Sequence, residues 1–174
     1  MHRSRDRSSH VPTANPQRVV AATARWLVTA FPSTGGSFSR ALAEVQARQA
    51  VDVAAGLRYP TPLDVELLEL TGPGGAGRLD ELAGACEPDE IWREWVDEVL
   101  ASWACCLLAD PALAVRAVAA LDEPESAFGR LTDPGHRERD AGVLLRHPDL
   151  LSPVADLHRD GLLALLDRTT ASAS

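Results

Sequence analysis

The stretch from Glu87 to Leu121 places the strongest constraint on the fold, because it holds three of the four tryptophans in the chain. At 100° per residue, its large apolar side chains fall on one half of a helical wheel. These side chains belong to Ile91, Trp92, Trp95, Val96, Val99, Leu100, Trp103, Cys106 and Leu107. The other half carries the charged residues Arg93, Glu94, Asp97 and Glu98. A buried tryptophan removes roughly 200 Å² from water, so a face this wide needs more than one neighbour to cover it. The stretch is therefore predicted to be the central helix of a helical domain.

The composition narrows the range of partners. The chain has 174 residues, of which 45% are hydrophobic and 24% charged, and this is typical of a single globular domain. Its net charge of −8 opposes binding to nucleic acid and to anionic membranes, because the summed field repels phosphates. No uninterrupted apolar run approaches the ~18 residues that a membrane-spanning helix needs. We therefore expect neither nucleic acid nor a membrane as a partner.

The cysteines indicate a reducing compartment. Cys86, Cys105 and Cys106 are odd in number and two are adjacent, so a disulfide framework is not expected. This favours a cytoplasmic protein. Cys106 lies within the apolar stripe, whereas Cys105 lies on the opposite flank and is predicted to be more accessible.

Recurring helix-start signals predict an all-α fold, a single-domain bundle of about six to eight helices. A capping residue followed by proline occurs at Asn15-Pro16, Thr61-Pro62 and Asp110-Pro111. The last of these is predicted to split the central stretch into two helices. Residues 63–70 remain open between two turns of helix and a short strand, because short apolar runs do not separate the two by periodicity.

The two ends of the chain lack the periodicity of the middle. Residues 1–14 are polar and rich in arginine and serine, and they are predicted to be a disordered leader. Residues 15–168 are predicted to form the helical domain. Residues 169–174 are predicted to be a disordered tail.

A glycine-rich loop from Gly72 to Gly77 matches the pattern G-x-G-x-x-G of phosphate-binding loops. Arg78 and Leu79, however, stand where a P-loop needs lysine and a hydroxyl residue. A nucleotide site would also need a parallel sheet, and the chain offers at most one strand candidate. The loop is therefore predicted to be a connector, and no cofactor is expected.

Three late histidines are candidates for polar chemistry. His136, His147 and His158 are spaced by eleven residues, but two prolines within this stretch interrupt any common helix. No pair has the tight spacing of a strong metal site, so no metal is predicted. His136 and Asp140 are four residues apart, and His158 falls on the apolar side of its helix. Together, His136, Asp140 and His158 form the candidate polar site.

Two hypotheses for function follow from the tryptophan stripe. The first is a non-enzymatic interaction protein, an adaptor, accessory factor or regulator, that binds a protein partner through an apolar helix surface. That surface would consist of Trp92, Trp95, Val99, Trp103 and Cys106. The second is an enzyme or small-molecule binder with an interhelical pocket lined by the tryptophans and served by the candidate polar site. Because no complete catalytic constellation is present, the first hypothesis is favoured. Either is compatible with a homo-oligomer.

Overall fold

All regular structure in residues 16–85 and 90–172, which the computed structural model describes, is helical. Ten α-helices follow one another in this part of the chain, and the bounds are α1 (Gln17–Ala30), α2 (Ser37–Arg58), α3 (Pro62–Thr71), α4 (Gly77–Ala83), α5 (Glu98–Ala109), α6 (Pro111–Ala120), α7 (Gly129–Thr132), α8 (His136–Ala141), α9 (Pro148–Ala155) and α10 (Arg159–Ser172). Two 3₁₀ turns span Ile91–Trp95 and Glu125–Phe128. The predicted all-α class is confirmed. The helix count exceeds the predicted range because the region between α6 and α9 forms two short helices.

The centre of the molecule is α5. Every residue from Leu100 to Leu108 is buried, and the helix packs against α1, α2, α6, α9 and α10. The prediction that several neighbours must cover this segment is therefore confirmed. The longest helix, α2, packs against α1 and α5 and supplies the second large share of the core. No helix in the described ranges is long and apolar enough to cross a membrane.

The central stretch does not form one continuous helix, which corrects the sequence prediction. The 3₁₀ turn Ile91–Trp95 is followed by extended backbone at Val96 and Asp97, and α5 begins only at Glu98. The Asp97 carboxylate accepts hydrogen bonds from the first backbone N–H groups of α5, so it is the N-cap of that helix. The predicted split before Pro111 is confirmed, because Asp110 caps α6 in the same way. The predicted start at Glu87 lies outside the described residues.

The extra break changes which side chains are buried. Arg93 and Asp97, predicted to lie on the outer face, are only 7% and 6% exposed, whereas Ile91, predicted to face the core, is 82% exposed. A helical wheel assumes that each residue is rotated by 100° from the one before it. The extended backbone before α5 interrupts this rotation, so the wheel no longer gives the directions of the preceding side chains. The wheel prediction is therefore right for α5 and wrong for these residues before it.

Two other predictions concern the ends of helices. Residues 63–70 belong to α3, which Thr61 and Asp64 stabilise through a reciprocal capping box with Pro62 in the first turn. At the C-terminal end, α10 continues to Ser172, so residues 169–172 are helical where a disordered tail was predicted. The predicted leader, residues 1–14, lies outside the described residues.

Arg146 ties together elements that are distant in sequence. Its guanidinium donates to the Gln46 side chain at 2.6 Å and to the backbone carbonyls of Leu108, Arg130 and Leu131. These carbonyls lie near the C-terminal ends of α5 and α7, where backbone acceptors lack helical partners. Burial lowers the pKa of Arg146 to about 10. This side chain therefore joins α2, α5 and α7 through polar contacts.

Candidate functional site

The tryptophans divide into two buried and two half-buried side chains. Trp26 and Trp103 are buried. The Trp103 Nε1 atom donates to the His158 carbonyl at 3.1 Å. Trp92 and Trp95, on the 3₁₀ turn before α5, are half-buried. The tryptophan stripe is therefore divided between the core and the edge of the molecule.

The remaining residues of the predicted apolar surface follow the same division. Val99 is half-buried and lines a small pocket beside Trp103, whereas Cys106 is buried. A surface for a protein partner needs its apolar side chains in contact with solvent before binding. The five residues of the predicted surface therefore do not form one exposed apolar patch.

Arginines from α1 lie over the two half-buried tryptophans. The Arg18 guanidinium stacks over the Trp95 ring and that of Arg25 over the Trp92 ring, each 4.5 Å from the ring centroid. Arg25 also pairs with Glu90 at 3.0 Å. Cation–π contacts of this kind contribute about 0.5–1 kcal/mol each at exposed sites. Through these contacts, Trp92 and Trp95 attach the 3₁₀ turn Ile91–Trp95 to α1.

A different apolar surface lies on α3. Leu63, Leu67 and Leu70 are 63%, 51% and 83% exposed. On a helical wheel they fall within an arc of about 60°, which we call the leucine arc. Val65 and Leu68 fall on the opposite side and are the two buried residues of α3. The helix is therefore apolar on both sides, with one side attached to the protein and the other facing solvent.

Two pockets flank α3. One, of about 370 Å³, lies between α3 and the start of α1 and is lined by Pro16, Arg18, Glu69 and Trp95 among others. The other, of about 390 Å³, lies between α3, the end of α2 and the start of α5. Leu68 lines both pockets, and Leu67 of the leucine arc lines the second. The two pockets therefore separate part of α3 from the neighbouring helices.

The charges on α3 have one sign. Its ten residues include Asp64, Glu66 and Glu69 and no basic residue. Asp64 is engaged in the capping box, whereas Glu66 and Glu69 are exposed, and Glu69 lines the first pocket. The surface is consequently an apolar arc with an acidic flank.

The second pocket contains a partly buried polar contact. The Tyr59 hydroxyl donates to the Asp97 carboxylate, whose other oxygen caps α5. Burial first, and then this carboxylate, raise the pKa of Tyr59 above its ordinary value. Because Asp97 is occupied by Tyr59 and by the helix end, the contact stabilises the junction of α2 and α5 and offers no spare base.

The candidate polar site is divided by the fold. His136 and Asp140 form an exposed pair on α8, with Nδ1 and Oδ2 2.7 Å apart. His158 instead lies beside α5, with its Nε2 2.8 Å from Glu98 Oε1. A third pocket, of about 270 Å³, is lined by His158 and Trp103 but not by the α8 pair. Of the predicted tryptophan and histidine residues, Trp103 and His158 line this pocket together.

The two described cysteines lie in the core. Cys105 is fully buried, so the expected accessibility of that thiol is wrong, and burial raises its pKa. Burial also raises the pKa of Cys106 to about 11. A thiol is a nucleophile only as the thiolate, so neither side chain is poised for attack. Both cysteines therefore act as small apolar residues of α5.

The glycine-rich loop connects α3 to α4. Gly72 and Gly75 adopt φ values of 68° and 79°, which favour glycine. The Gly75 N–H donates to the Val96 carbonyl, so the loop is fastened to the segment before α5. Within the described ranges, no group of three or more His, Cys, Asp or Glu side chains is placed to hold a metal ion.

The sequence contains a signal for the leucine arc, but it depends on knowing the secondary structure. Once residues 62–71 are known to be helical, the wheel separates Leu63, Leu67 and Leu70 from Val65 and Leu68. As an unassigned apolar run, the same residues define no face. No family model, no curated protein and no solved structure matches the chain.

Proposed function

We propose that the protein is a non-enzymatic adaptor or accessory factor that binds an amphipathic helix of another protein on the leucine arc of α3. The observation that carries the proposal is the exposure of Leu63, Leu67 and Leu70 on one side of a helix whose other side is buried. The expected setting is a reducing cytoplasm. The proposed binding surface is therefore on α3, whereas the sequence analysis expected it on the tryptophans.

The dimensions of α3 suit a helical partner. Ten residues of helix span about 15 Å, and the leucines repeat at the i, i+4, i+7 spacing by which helices recognise each other. Burying one leucine side chain contributes about 1.5–3 kcal/mol, so three provide an appreciable binding free energy before the cost of association. The partner would present its own apolar side chains at matching spacing.

The charge on α3 indicates a basic partner. On the helical wheel Glu66 lies next to the leucine arc and Glu69 lies beyond it, and the whole chain has a net charge of −8. Lysine or arginine on the flank of the partner helix would complement these carboxylates and speed association. A second copy of this chain would bring like charges together instead. We therefore favour a basic amphipathic helix over self-association.

The test uses a synthetic helical peptide with leucines on one face and lysines on its flanks, and measures binding by fluorescence anisotropy. We expect the L63S/L67S/L70S variant to bind at least about tenfold more weakly, equivalent to about 1.4 kcal/mol. The matched control is F38S/V143S/L150S, which removes three exposed apolar side chains elsewhere on the surface. A peptide with glutamate in place of lysine should bind more weakly to the unaltered protein.

Two results would contradict the proposal. One is equal peptide binding by the leucine variant and the control. The other is a stable dimer of the unaltered protein that the leucine substitutions dissociate, as measured by light scattering after size-exclusion chromatography. That result would assign the leucine arc to a second copy.

The second candidate function is small-molecule binding in the pocket beside Trp103 and His158. It is motivated by the contact of these two residues with one pocket, which also includes Arg58. Arg58 can donate to a ligand carboxylate, and Asp156 and Asp160, which line the same pocket, can accept from a ligand amine, so the pocket suits a small zwitterion. A panel of amino acids, tested by thermal shift, should stabilise the unaltered protein more than R58Q. No stabilisation by any member would remove this candidate.

A further inference from the structure

We infer that the third pocket, of about 270 Å³ beside Trp103 and His158, binds single α-amino acids with an apolar side chain, and that this side chain lies against Trp103. The inference rests on the second candidate function, the binding of a small zwitterion in this pocket, and adds the class of side chain that the ligand carries. Two observations support it: the pocket is lined by unpaired charges of both signs, and it has an apolar wall.

Two charged side chains that line the pocket have no ion-pair partner among the described residues. They are Arg58, at the end of α2, and Asp160, in the first turn of α10. Arg58 lies over the Tyr59 ring, with its Cζ atom 5.7 Å from the centroid, so its charge has no counterion. Asp156 also lines the pocket but is paired with Arg159 at 3.2 Å. Arg58 is therefore available for a carboxylate, and Asp160 for an ammonium group.

The pocket also has an apolar wall. It consists of Val99 and Trp103, one turn apart on α5, and Leu157, in the turn between α9 and α10. Gly161 lines the pocket as well, and a Cβ atom at that position would lie 4.0 Å from Trp103 Cζ2. Because Gly161 has no side chain, it leaves the edge of the Trp103 ring uncovered there. An apolar group of a ligand can therefore reach the ring.

His158 holds this wall in place. Its backbone N–H donates to Ser102 Oγ at 3.0 Å, and its carbonyl accepts from Trp103 Nε1 at 3.1 Å. Its Nε2 atom lies 2.8 Å from Glu98 Oε1, so the imidazole is already engaged. These three contacts fasten the turn before α10 to α5. A pocket that is formed before the ligand arrives loses less binding free energy to ordering.

The size and chemistry of the pocket fit a single amino acid. Ligand pockets usually measure about 300–1,000 Å³, so this one suits a small molecule better than a peptide. An α-amino acid carries its carboxylate, ammonium group and side chain on one carbon. These three groups match Arg58, Asp160 and Trp103. A polar side chain would lose its hydration against the apolar wall without gaining hydrogen bonds.

The first experiment measures binding of leucine, glycine and two leucine derivatives by isothermal titration calorimetry. We expect leucine to bind at least about tenfold more tightly than glycine, because only leucine buries an apolar side chain. R58Q should weaken leucine binding about tenfold but leave the binding of leucinamide, which lacks the carboxylate, unchanged. D160N should weaken leucine binding similarly but leave the binding of N-acetyl-leucine, which lacks the ammonium group, unchanged.

The second experiment fills the space beside Trp103 without changing a charge. G161L should weaken leucine binding about tenfold or more, because its side chain would occupy the place of the ligand's side chain. The matched control is A164L, an exposed position of the same helix that does not line the pocket. R40Q, at an exposed position of α2, is the control for R58Q. Both controls should bind leucine like the unaltered protein. Circular dichroism checks that each variant is folded.

The outcomes separate this inference from the function on which it rests. If neither leucine nor glycine binds, the second candidate function and the inference both fall. If glycine binds as tightly as leucine and R58Q weakens both, the pocket binds zwitterions but does not recognise the side chain, and the inference alone is overturned. Equal leucine binding by G161L and A164L would also overturn it. None of these measurements depends on whether the leucine arc binds a helix.

Discussion

At the scale of single residues, Asp97 makes hydrogen bonds to three different parts of the protein. Asp97 accepts from the Tyr59 hydroxyl and from two backbone N–H groups of α5, and its own N–H donates to the Thr23 hydroxyl at 3.1 Å. The sequence placed Asp97 on a solvent-facing side, because local spacing carries no information about a partner 38 residues away. The contact of Arg146 with Gln46 was missed for the same reason, since the two are 100 residues apart.

Tyr59 gives a prediction about pH. Since folding raises its pKa above the ordinary value near 10, the unfolded chain loses this proton first as the pH rises. Its contribution to the free energy of unfolding is therefore complete below pH ~10 and declines above it. Tyr59 is the only tyrosine in the chain, so tyrosinate absorbance reports it directly. We expect ionisation to coincide with alkaline unfolding, and Y59F to unfold with a shallower dependence on alkaline pH. A titration near pH 10 in the folded protein would contradict this.

At the scale of elements, two aspartates begin two consecutive helices with different degrees of burial. Asp97 caps α5 in a buried setting and also accepts from Tyr59, whereas Asp110 caps α6 in an exposed one. The cap before Pro111 was predictable because aspartate and proline together mark a helix start. The cap at Asp97 was not, because no proline or glycine accompanies it and the wheel continued smoothly across it.

These two caps allow a matched comparison. We expect D110A to lower the free energy of unfolding by about 1 kcal/mol, the usual value of an N-cap. D97A should cost about 2–3 kcal/mol, because it also leaves the half-buried Tyr59 hydroxyl without its acceptor. Urea unfolding measures both. Equal losses would mean that the Tyr59 contact adds nothing to the cap.

At the scale of the whole molecule, Trp26 and Trp103 lie in the core and Trp92 and Trp95 lie against arginines of α1, whereas the leucine arc is exposed on α3. The all-α class and the central place of α5 were predictable from periodicity, because the segment from Leu100 to Leu108 keeps its apolar spacing without a break. Which apolar residues remain exposed was not predictable, since that depends on how the helices pack. The leucine arc is the clearest example, because its side chains are as apolar as those of the core.

Tryptophan fluorescence tests this distribution. Acrylamide, a neutral quencher, should reach Trp92 and Trp95 in part and Trp26 and Trp103 very little. R18Q/R25Q should increase quenching, because it removes the side chains lying over the two accessible rings, and should lower stability by about 1–2 kcal/mol. Unchanged quenching in this variant would show that the arginines do not shield the rings.

The slender attachment of α3 has a consequence for hydrogen exchange. With only Val65 and Leu68 buried, this helix can detach at a lower free energy than α2 or α5, so its amides should exchange with deuterium earlier than theirs. The capping box of Thr61 and Asp64 is local, so it does not attach α3 to the rest of the protein. A partner bound to the leucine arc would add contacts on the outer side of α3 and slow that exchange. The exchange rate of the α3 amides would then report directly whether the leucine arc is occupied.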